Sequence, residues 1–328
     1  MPIDWTPLKE AVANYDSFVL TTHTRSDCDA IGSELGLLHA LEVLGKQVRI
    51  VNADAPPERI TFLDTENRIE VLGEGVTADE VHQADVHIVV DTSAWGQLGD
   101  MAEVIRATPA KRLIIDHHQS GDDLQAAEMK DTDAEAAGRL VLEAIDALGV
   151  ELTPAMATPL FAAIATDTGW FRFPSVSSTT YKAIARLVDS GAHPNRIYQT
   201  LYDNNTPGRI RLHGRIMQSL SLKLGGRVAF GWATDHDFLE TGALLADTED
   251  VVNRLLSVEG VEIAVLFAAM EPGLTKASLR SRGEADVRPV AEHFGGGGHA
   301  KAAGVRYRGS VEEARAAVLA VIERQLAE

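Results

Sequence analysis

Four clusters of acidic and histidine residues stand out in this chain: His23-x-x-x-Asp27-x-Asp29, Asp91, Asp116-His117-His118, and Asp167 within Thr166-Asp167-Thr168-Gly169. Each lies near the end of a strand-like or helix-like segment. Singly they have plain structural readings: His23 as a loop histidine, Asp29 as the N-cap of the following helix, Asp91 and Asp167 as turn formers. Asp116-His117-His118 resists such a reading, because paired histidines just beyond a buried strand have little structural use. Together, His23, Asp27, Asp29, Asp91, His117 and Asp167 offer enough oxygen and imidazole ligands for two divalent ions that share one carboxylate, with water completing each shell. Carboxylates mixed with imidazoles and free of thiolate favour Mn2+, with Mg2+, Co2+ or Zn2+ as alternatives. Such a pair activates water near neutral pH and holds the attacking and leaving oxygens of a phosphoryl group, so no protein nucleophile is needed.

These clusters come from separate segments, and only a fold that gathers segment ends can unite them. Ser17–Thr22, Gln47–Val51, Val86–Val90 and Arg112–Ile115 read as buried strands. Ala30–Leu44, apolar at Ile31, Leu35, Leu38 and Leu41, reads as a helix ended by Gly45, and Ala136–Leu148 as a second helix. Strands alternating with helices predict an α/β domain with a parallel sheet and flanking helices. In such sheets ligands gather beyond the carboxyl ends of the strands, which is where His23, Asp91 and Asp116 fall.

A helix near residues 179–190 is followed by the breakers Gly191-Ala-His-Pro194 and Tyr202–Gly208. The expected organisation is a catalytic domain over 1–190, a linker with some helix over 191–224, and a smaller α+β domain over 225–328. In the last, strands are expected at 227–232, 261–270, 276–282 and 304–307. Helices are expected at about 248–256, 287–293 and 310–326, the final one opened by a Ser310/Glu313 capping box.

The formal charge of −18 weighs against long nucleic acid, whose binding needs many Lys and Arg contacts to phosphate. A short phosphorylated substrate stays compatible, because bound divalent ions invert the local potential. The longest near-apolar stretch, Ile263–Met270, is too short to span a bilayer, and the first ten residues lack a secretory pattern. Cys28 is the single cysteine, which excludes an internal disulfide and suits a reducing compartment. A cytoplasmic protein without membrane attachment is expected; the sequence leaves a homodimer open.

Charge is distributed unevenly. Between Leu274 and Arg308 the basic residues Lys276, Arg280, Arg282, Arg288, Lys301, Arg306 and Arg308 outnumber Glu284, Asp286 and Glu292. The run Gly295–Gly298 before His299 lies in this stretch. Consecutive glycines expose backbone N–H groups and form anion nests, although a flexible loop is the plain alternative. The basic neighbours favour the anion reading.

His-Thr-Arg-Ser-Asp-Cys-Asp-Ala-Ile-Gly-Ser from His23, Val-Val-Asp91, Ile-Ile-Asp-His-His118 and Ala-Thr-Asp167-Thr-Gly, in this order, resemble the four motifs of the DHH phosphoesterase superfamily. Phe294-Gly-Gly-Gly-Gly-His-Ala-Lys-Ala-Ala-Gly304 is similar to the signature of its type 1 DHH-associated domain. With no extra domains, the chain most resembles the nanoRNase and 3′-phosphoadenosine-5′-phosphate phosphatase group. The resemblance implies an active site in a cleft between a parallel-sheet domain and the associated domain. It implies His23 and Asp27 on one ion, Asp29, His117 and Asp167 on the other, and Asp91 bridging. Asp116 would orient a histidine, and His118 would touch the scissile phosphate or leaving oxygen. In the second domain Gly296, Gly297, Gly298 and His299 would grip the substrate's other phosphate, assisted by Arg280 and Ser281.

Arg172, with Phe171 and Phe173, resembles a segment where an arginine and an aromatic face the substrate; one phenylalanine is expected in the core. Two departures are visible. Arg25-Ser26 stands where the family has Asn-Pro, and Cys28 stands where it has glycine. Cys28 is read as a small side chain packed into the core; a role in oxidation sensitivity is the sharper alternative.

The expected activity is hydrolysis of short oligoribonucleotides, linear dinucleotides included, and of nucleotide bisphosphates such as phosphoadenosine phosphate. A RecJ-type single-strand exonuclease is the competing enzyme reading, disfavoured by the net charge and the absence of additional domains. A family II pyrophosphatase lacks this glycine-rich histidine motif. A catalytically silent nucleotide-binding module would need no second metal.

Overall fold

The computed structural model describes residues 3–327. It divides into two compact units, Met1–Asn204 and Asn205–Glu328, and the division falls within the turn-rich stretch after Gly191.

The first unit begins with α1 (Thr6–Asn14), β1 (Ser17–Thr21), α2 (Cys28–Val43) and β2 (Gln47–Asn52). Two short strands follow, β3 (Ile69–Leu72) and β4 (Gly75–Val76), then the single turn α3 (Ala78–Val81) and β5 (Val86–Val90). Next come α4 (Met101–Ala107), β6 (Lys111–Asp116) and β7 (Ala127–Lys130). The helices α5 (Ala137–Leu148), α6 (Pro154–Asp167), α7 (Ser178–Asp189) and α8 (Pro194–Tyr202) complete the unit.

Its seven strands form an all-parallel sheet in the order β4-β3-β2-β1-β5-β6-β7. β1 has β2 on one side and β5 on the other. The chain therefore moves outward from β1 to β4, returns, and moves outward again from β5. That reversal opens a crevice beyond the carboxyl ends of β1 and β5, the place where open α/β sheets bind ligands. The central strands are buried on both faces, as helices cover both sides of the sheet.

α6 was not legible in the sequence. Its residues are buried nearly all round, from Met156 to Ala165, so no apolar stripe marks a face. Its packing against α2 is close. A Cβ on Gly32 would lie 2.3 Å from the Pro159 carbonyl oxygen, and one on Gly36 would lie 2.7 Å from Leu160. Two glycines one turn apart thus let α2 and α6 approach, and α6 ends on Asp167.

The second unit holds α9 (Pro207–Gln218), β8 (Ser221–Lys223), β9 (Val228–Ala233), α10 (Asp235–Thr241) and α11 (Val251–Leu256). β10 (Ile263–Glu271), β11 (Leu274–Ser281), α12 (Arg288–His293), β12 (Gly297–His299), β13 (Ala302–Arg308) and α13 (Val311–Ala327) follow. Its mixed sheet runs β12-β13-β11-β10-β9-β8, with β9 and β10 parallel and the other pairs antiparallel. The capping box that opens α13 forms: Ser310 Oγ accepts from the Glu313 N–H at 3.2 Å, and Glu313 Oε2 accepts from the Ser310 N–H at 2.8 Å. Among the described residues no helix is long and apolar enough to cross a membrane.

Candidate active site

Asp91 is the residue on which the site converges. It follows β5 with φ of 61°, a left-handed conformation that an aspartate tolerates better than most side chains. Its carboxylate is buried at the crevice. His23 Nε2 lies 3.3 Å from Oδ2, while His117 Nε2 and His118 Nδ1 lie 3.4 Å and 3.7 Å from Oδ1. His117 Nε2 is also 3.6 Å from Asp29 Oδ2 and 3.8 Å from Asp167 Oδ2.

Ligand atoms thus gather as His23, Asp27 and Asp91 in one group and Asp29, His117 and Asp167 in another, with Asp91, His117 and His118 forming a third. Ligand atoms at right angles on one ion, with bonds of about 2.1 Å, stand roughly 3 Å apart. The observed separations are near that edge length. Asp91 Oδ1 is buried with no hydrogen-bond donor, the condition of a carboxylate oxygen awaiting a cation. The residues present therefore fit divalent metal.

Local structure aims each ligand. His23 Nδ1 meets the Thr24 carbonyl at 3.0 Å and His117 Nδ1 meets the Ala134 carbonyl at 3.1 Å. Each contact places the proton on Nδ1 and leaves Nε2 as the donor atom. Asp27, not Asp29, caps α2: its Oδ1 accepts from the N–H groups of Asp29 at 2.9 Å and Ala30 at 3.1 Å. The N-terminus of α2 is thereby occupied by the protein's own carboxylate. Asp29 instead accepts from Ala137 N–H at 2.7 Å and Gly138 N–H at 2.9 Å, the first turn of α5. A residue read locally as a cap for its own helix is a cap for one more than a hundred positions away. Cys28 is buried in the core, where burial and the Asp27 charge push its thiol up to about 12.

Crowding shapes the proton affinities. Burial and the charges of Asp91 and Asp167 push the Asp29 carboxyl well above the ordinary range, and burial raises Asp167 to about 6. Burial opposes the imidazolium of His23 and of His117. Contact with and charge from Asp91 outweigh it, joined at His117 by the charges of Asp29 and Asp167, so His23 rises to about 9 and His117 to about 10. Protons held between carboxylate and imidazole occupy positions for which a divalent cation competes.

Asp116, fully buried, lies behind this centre. Its Oδ1 accepts from the His118 N–H at 3.1 Å and faces His118 Nδ1 at 2.8 Å, leaving His118 Nε2 available. Burial alone would raise the Asp116 carboxyl; hydrogen bonds from His118, Ser93 and Lys130 reverse this and hold it well below the usual range. The His118 hydrogen bond to Asp116 raises the imidazole pKa against the opposing effect of burial.

Glu34, on α2, and Asn52 were not singled out by sequence. Glu34 Oε2 accepts from Asn52 Nδ2 at 2.9 Å, and Asn52 Oδ1 accepts from the Thr22 N–H at 3.0 Å, steadying the residue before His23. Burial raises the Glu34 pKa to about 8. The unfolded carboxyl ionises near its ordinary value of 4.5, so the neutral side chain stabilises fully below pH 4.5 and that contribution fades as pH rises through 8. Glu34→Gln is expected to gain on wild type between pH 4.5 and 8 by on the order of a few kcal/mol. Urea midpoints across that range check this; parallel pH profiles for the two proteins would count against it.

Other expected residues are placed differently. Arg172 is exposed, and its Nε donates to the Gly169 carbonyl at 2.6 Å across a turn in which Gly169, Trp170 and Phe171 all have positive φ. Phe171 packs on Phe161, whereas Phe173 is 50% exposed. In the second unit, Ser281 is buried and its hydroxyl faces the carbonyls of Ala285 at 2.7 Å and Ala300 at 3.0 Å. That hydroxyl's proton is therefore spent on loop structure. The nest expected from the glycine run is also modified. The Gly296 N–H donates to the Ala291 carbonyl, and Gly297–His299 form an edge strand on β13. Gly296 and Gly298 are needed for close approach, since a Cβ on either would fall 2.2 Å or 2.4 Å from a β13 carbonyl oxygen. His299 remains exposed, and Arg280, half-buried, spends Nη1 on the neighbouring Leu279 carbonyl. Arg282 and Lys301 bind loop carbonyls.

Comparison with known proteins agrees with this architecture. Residues 17–164 match the DHH family, N-terminal domain, and residues 238–328 match the DHHA1 domain. The chain is 32% identical over 94% of its length to the bifunctional oligoribonuclease and PAP phosphatase NrnA of Thermus thermophilus, covering 89% of that protein. It is 26% identical over 91% of its length to the protein of the same name from Bacillus subtilis, covering 92%. The crystal structure of an exopolyphosphatase-related protein from Bacteroides fragilis superposes with a TM-score of 0.92 at 25% identity, covering 99% of this chain and 97% of that one. With both domains matched and a relative above 30% identity aligned along nearly its whole length, this chain belongs to the DHH family of phosphoester hydrolases, and its second unit carries a DHHA1 domain.

Proposed function

We propose that this enzyme hydrolyses short oligoribonucleotides, linear dinucleotides included, to mononucleotides, and also removes the 3′-phosphate of phosphoadenosine phosphate. The observation that carries the reading is the convergence of His23, Asp27, Asp29, Asp91, His117 and Asp167 on one crevice, in a chain that aligns with two oligoribonuclease and PAP phosphatase relatives over nearly their full lengths. His23, Asp27 and Asp91 would hold one divalent ion and Asp29, His117 and Asp167 the other, with Asp91 shared. Mn2+ is the favoured ion on ligand chemistry. Divalent cations there supply Lewis acidity and neutralise charge on the phosphoryl oxygens.

The protein's own groups do the rest. The Nδ1 contacts of His23 and His117 keep both rings from rotating. Asp29, held by the start of α5, keeps its carboxylate in place without a side-chain partner. His118 Nε2 hydrogen-bonds the departing oxygen and supplies its proton, while Asp116 holds the ring. In the second unit, His299 and Arg280 supply affinity for a further phosphate of the substrate. The single cysteine is buried as a free thiol, which supports a reducing, cytoplasmic setting.

The deciding experiment is a Mn2+ assay on end-labelled RNA of two to twenty-four nucleotides, with phosphoadenosine phosphate alongside. Rates should fall steeply beyond a few nucleotides, in keeping with a net charge of −18. Efficient digestion of the 24-mer would favour a RecJ-type exonuclease instead. His299→Ala is expected to raise KM for oligonucleotides about tenfold while leaving bis-p-nitrophenyl phosphate hydrolysis nearly unchanged. Equal losses on both substrates would remove His299 from the affinity role.

A further inference from the structure

Lys130 has no part in the chemistry described so far, yet it touches the residue that holds His118. It ends the edge strand β7 and stands in register with Asp116 at the end of β6. Its side chain is 17% exposed, and Nζ lies 2.7 Å from Ser93 Oγ, 3.0 Å from Asp116 Oδ2 and 3.4 Å from the Ser120 carbonyl. An ammonium has three protons, and these three acceptors use them all. Lys130 is therefore not a free phosphate ligand.

Ser93 Oγ in turn donates to Asp116 Oδ2 at 2.7 Å. Lys130, Ser93 and Asp116 form a closed triangle that joins β7, β6 and the loop after β5. The chain following His118 rests on it: a Cβ on Gly121 would lie 2.2 Å from Ser93 Oγ and 3.2 Å from Lys130 Nζ. Two donors on Oδ2 stop the carboxylate from rotating. Oδ1 is then left to His118, through both its N–H and its ring Nδ1.

We propose that Lys130 is a positioning residue for hydrolysis: with Ser93 it clamps Asp116 Oδ2, so that Oδ1 holds the His118 ring with Nε2 free for the departing oxygen. This rests on the phosphoester-hydrolase reading of the site and on His118 as the group that meets the leaving oxygen. A lysine suits the position because the carboxylate is fully buried and a neutral hydroxyl alone would leave its charge poorly compensated. With methionine at 130, Oδ2 keeps one neutral donor and the carboxylate can turn away from His118.

The test uses the full-length, Mn2+-loaded enzyme with a ribodinucleotide and phosphoadenosine phosphate as substrates. Lys130→Met is expected to lower kcat about 10- to 100-fold, the usual cost of losing an outer partner of an active-site group. KM and Mn2+ affinity should change less than about twofold, since neither substrate nor metal ligands are touched. In an Asp116→Asn background, Lys130→Met should have almost no further effect. On bis-p-nitrophenyl phosphate, whose leaving group needs little protonation, the loss should be smaller. Ser93→Ala should show the same pattern at lower amplitude, and it carries the test if Lys130→Met does not fold. Wild-type kcat in both variants would overturn the clamp, as would an equal further loss in the Asp116→Asn background. If the wild-type enzyme cleaves neither natural substrate, the substrate reading fails separately, and the Asp116→Asn cycle on the reporter ester still decides the clamp.

Discussion

Asp91→Ala is expected to abolish hydrolysis and divalent-metal loading together, lowering kcat/KM by about three orders of magnitude or more. That corresponds to at least ~4 kcal/mol of transition-state stabilisation. The size follows from position. Asp91 is buried, carries an oxygen with no hydrogen-bond donor, and has nitrogens of His23, His117 and His118 within 3.3 to 3.7 Å of its carboxylate. Removing it takes the carboxylate that the His23–Asp27 group shares with the His117–His118 group, the one proposed to serve both ions, and withdraws the nearest negative charge from three histidines. Calorimetric titration with Mn2+ should show ions lost from the protein, and steady-state assays should show the loss of rate. Asp91→Asn keeps the side-chain volume and should fail in the same way, which separates loss of charge from collapse of the crevice. An active Asp91→Ala enzyme that still binds two ions would sink the shared-ligand assignment.

The second large effect is expected at His118. His118→Ala should lower kcat on a ribodinucleotide by about 10²- to 10⁴-fold, the range for loss of a positioned proton donor. Mn2+ binding should stay close to that of wild type, because His23, Asp27, Asp29, Asp91, His117 and Asp167 all remain. The distinction between His117 and His118 is geometric. His117 turns Nε2 toward Asp91, Asp29 and Asp167, whereas His118 turns Nδ1 toward Asp116 and keeps Nε2 free. On bis-p-nitrophenyl phosphate the His118→Ala loss should shrink. An undiminished loss there would make His118 a phosphate-binding or metal-binding group instead of a proton donor. Loss of Mn2+ binding in the same variant would place it among the ligands.

The two adjacent histidines face different partners because consecutive residues leaving a strand point in different directions. That much is readable from Asp116-His117-His118 following an apolar run. What holds each ring is only partly so: Asp116 belongs to the same triplet, but the Ala134 carbonyl behind His117 and the Ser93 and Lys130 that fix Asp116 come from other segments.

The sequence by itself determined the parallel-sheet class, the strands that end in His23, Asp91 and Asp116, and the six residues that meet at the crevice. It could do so because strands, amphipathic helices and turn residues leave local patterns, and because ligand side chains must be of few chemical types. Tertiary structure alone decided the rest. It turned Asp29 from a presumed cap of its own helix into the cap of α5, and gave that role on α2 to Asp27. It assembled α6, whose all-round burial erases any periodic stripe, and brought Asp167 in at its end through the close fit of Gly32 and Gly36. It spent the Ser281 hydroxyl and the Gly296 N–H on loop and helix carbonyls where an exposed anion site was expected. It placed Lys130 beside Asp116 and buried Glu34 against Asn52. Most of these contacts join residues far apart in the chain, and all are set by which backbones can approach and which buried groups must be compensated. No local pattern encodes them.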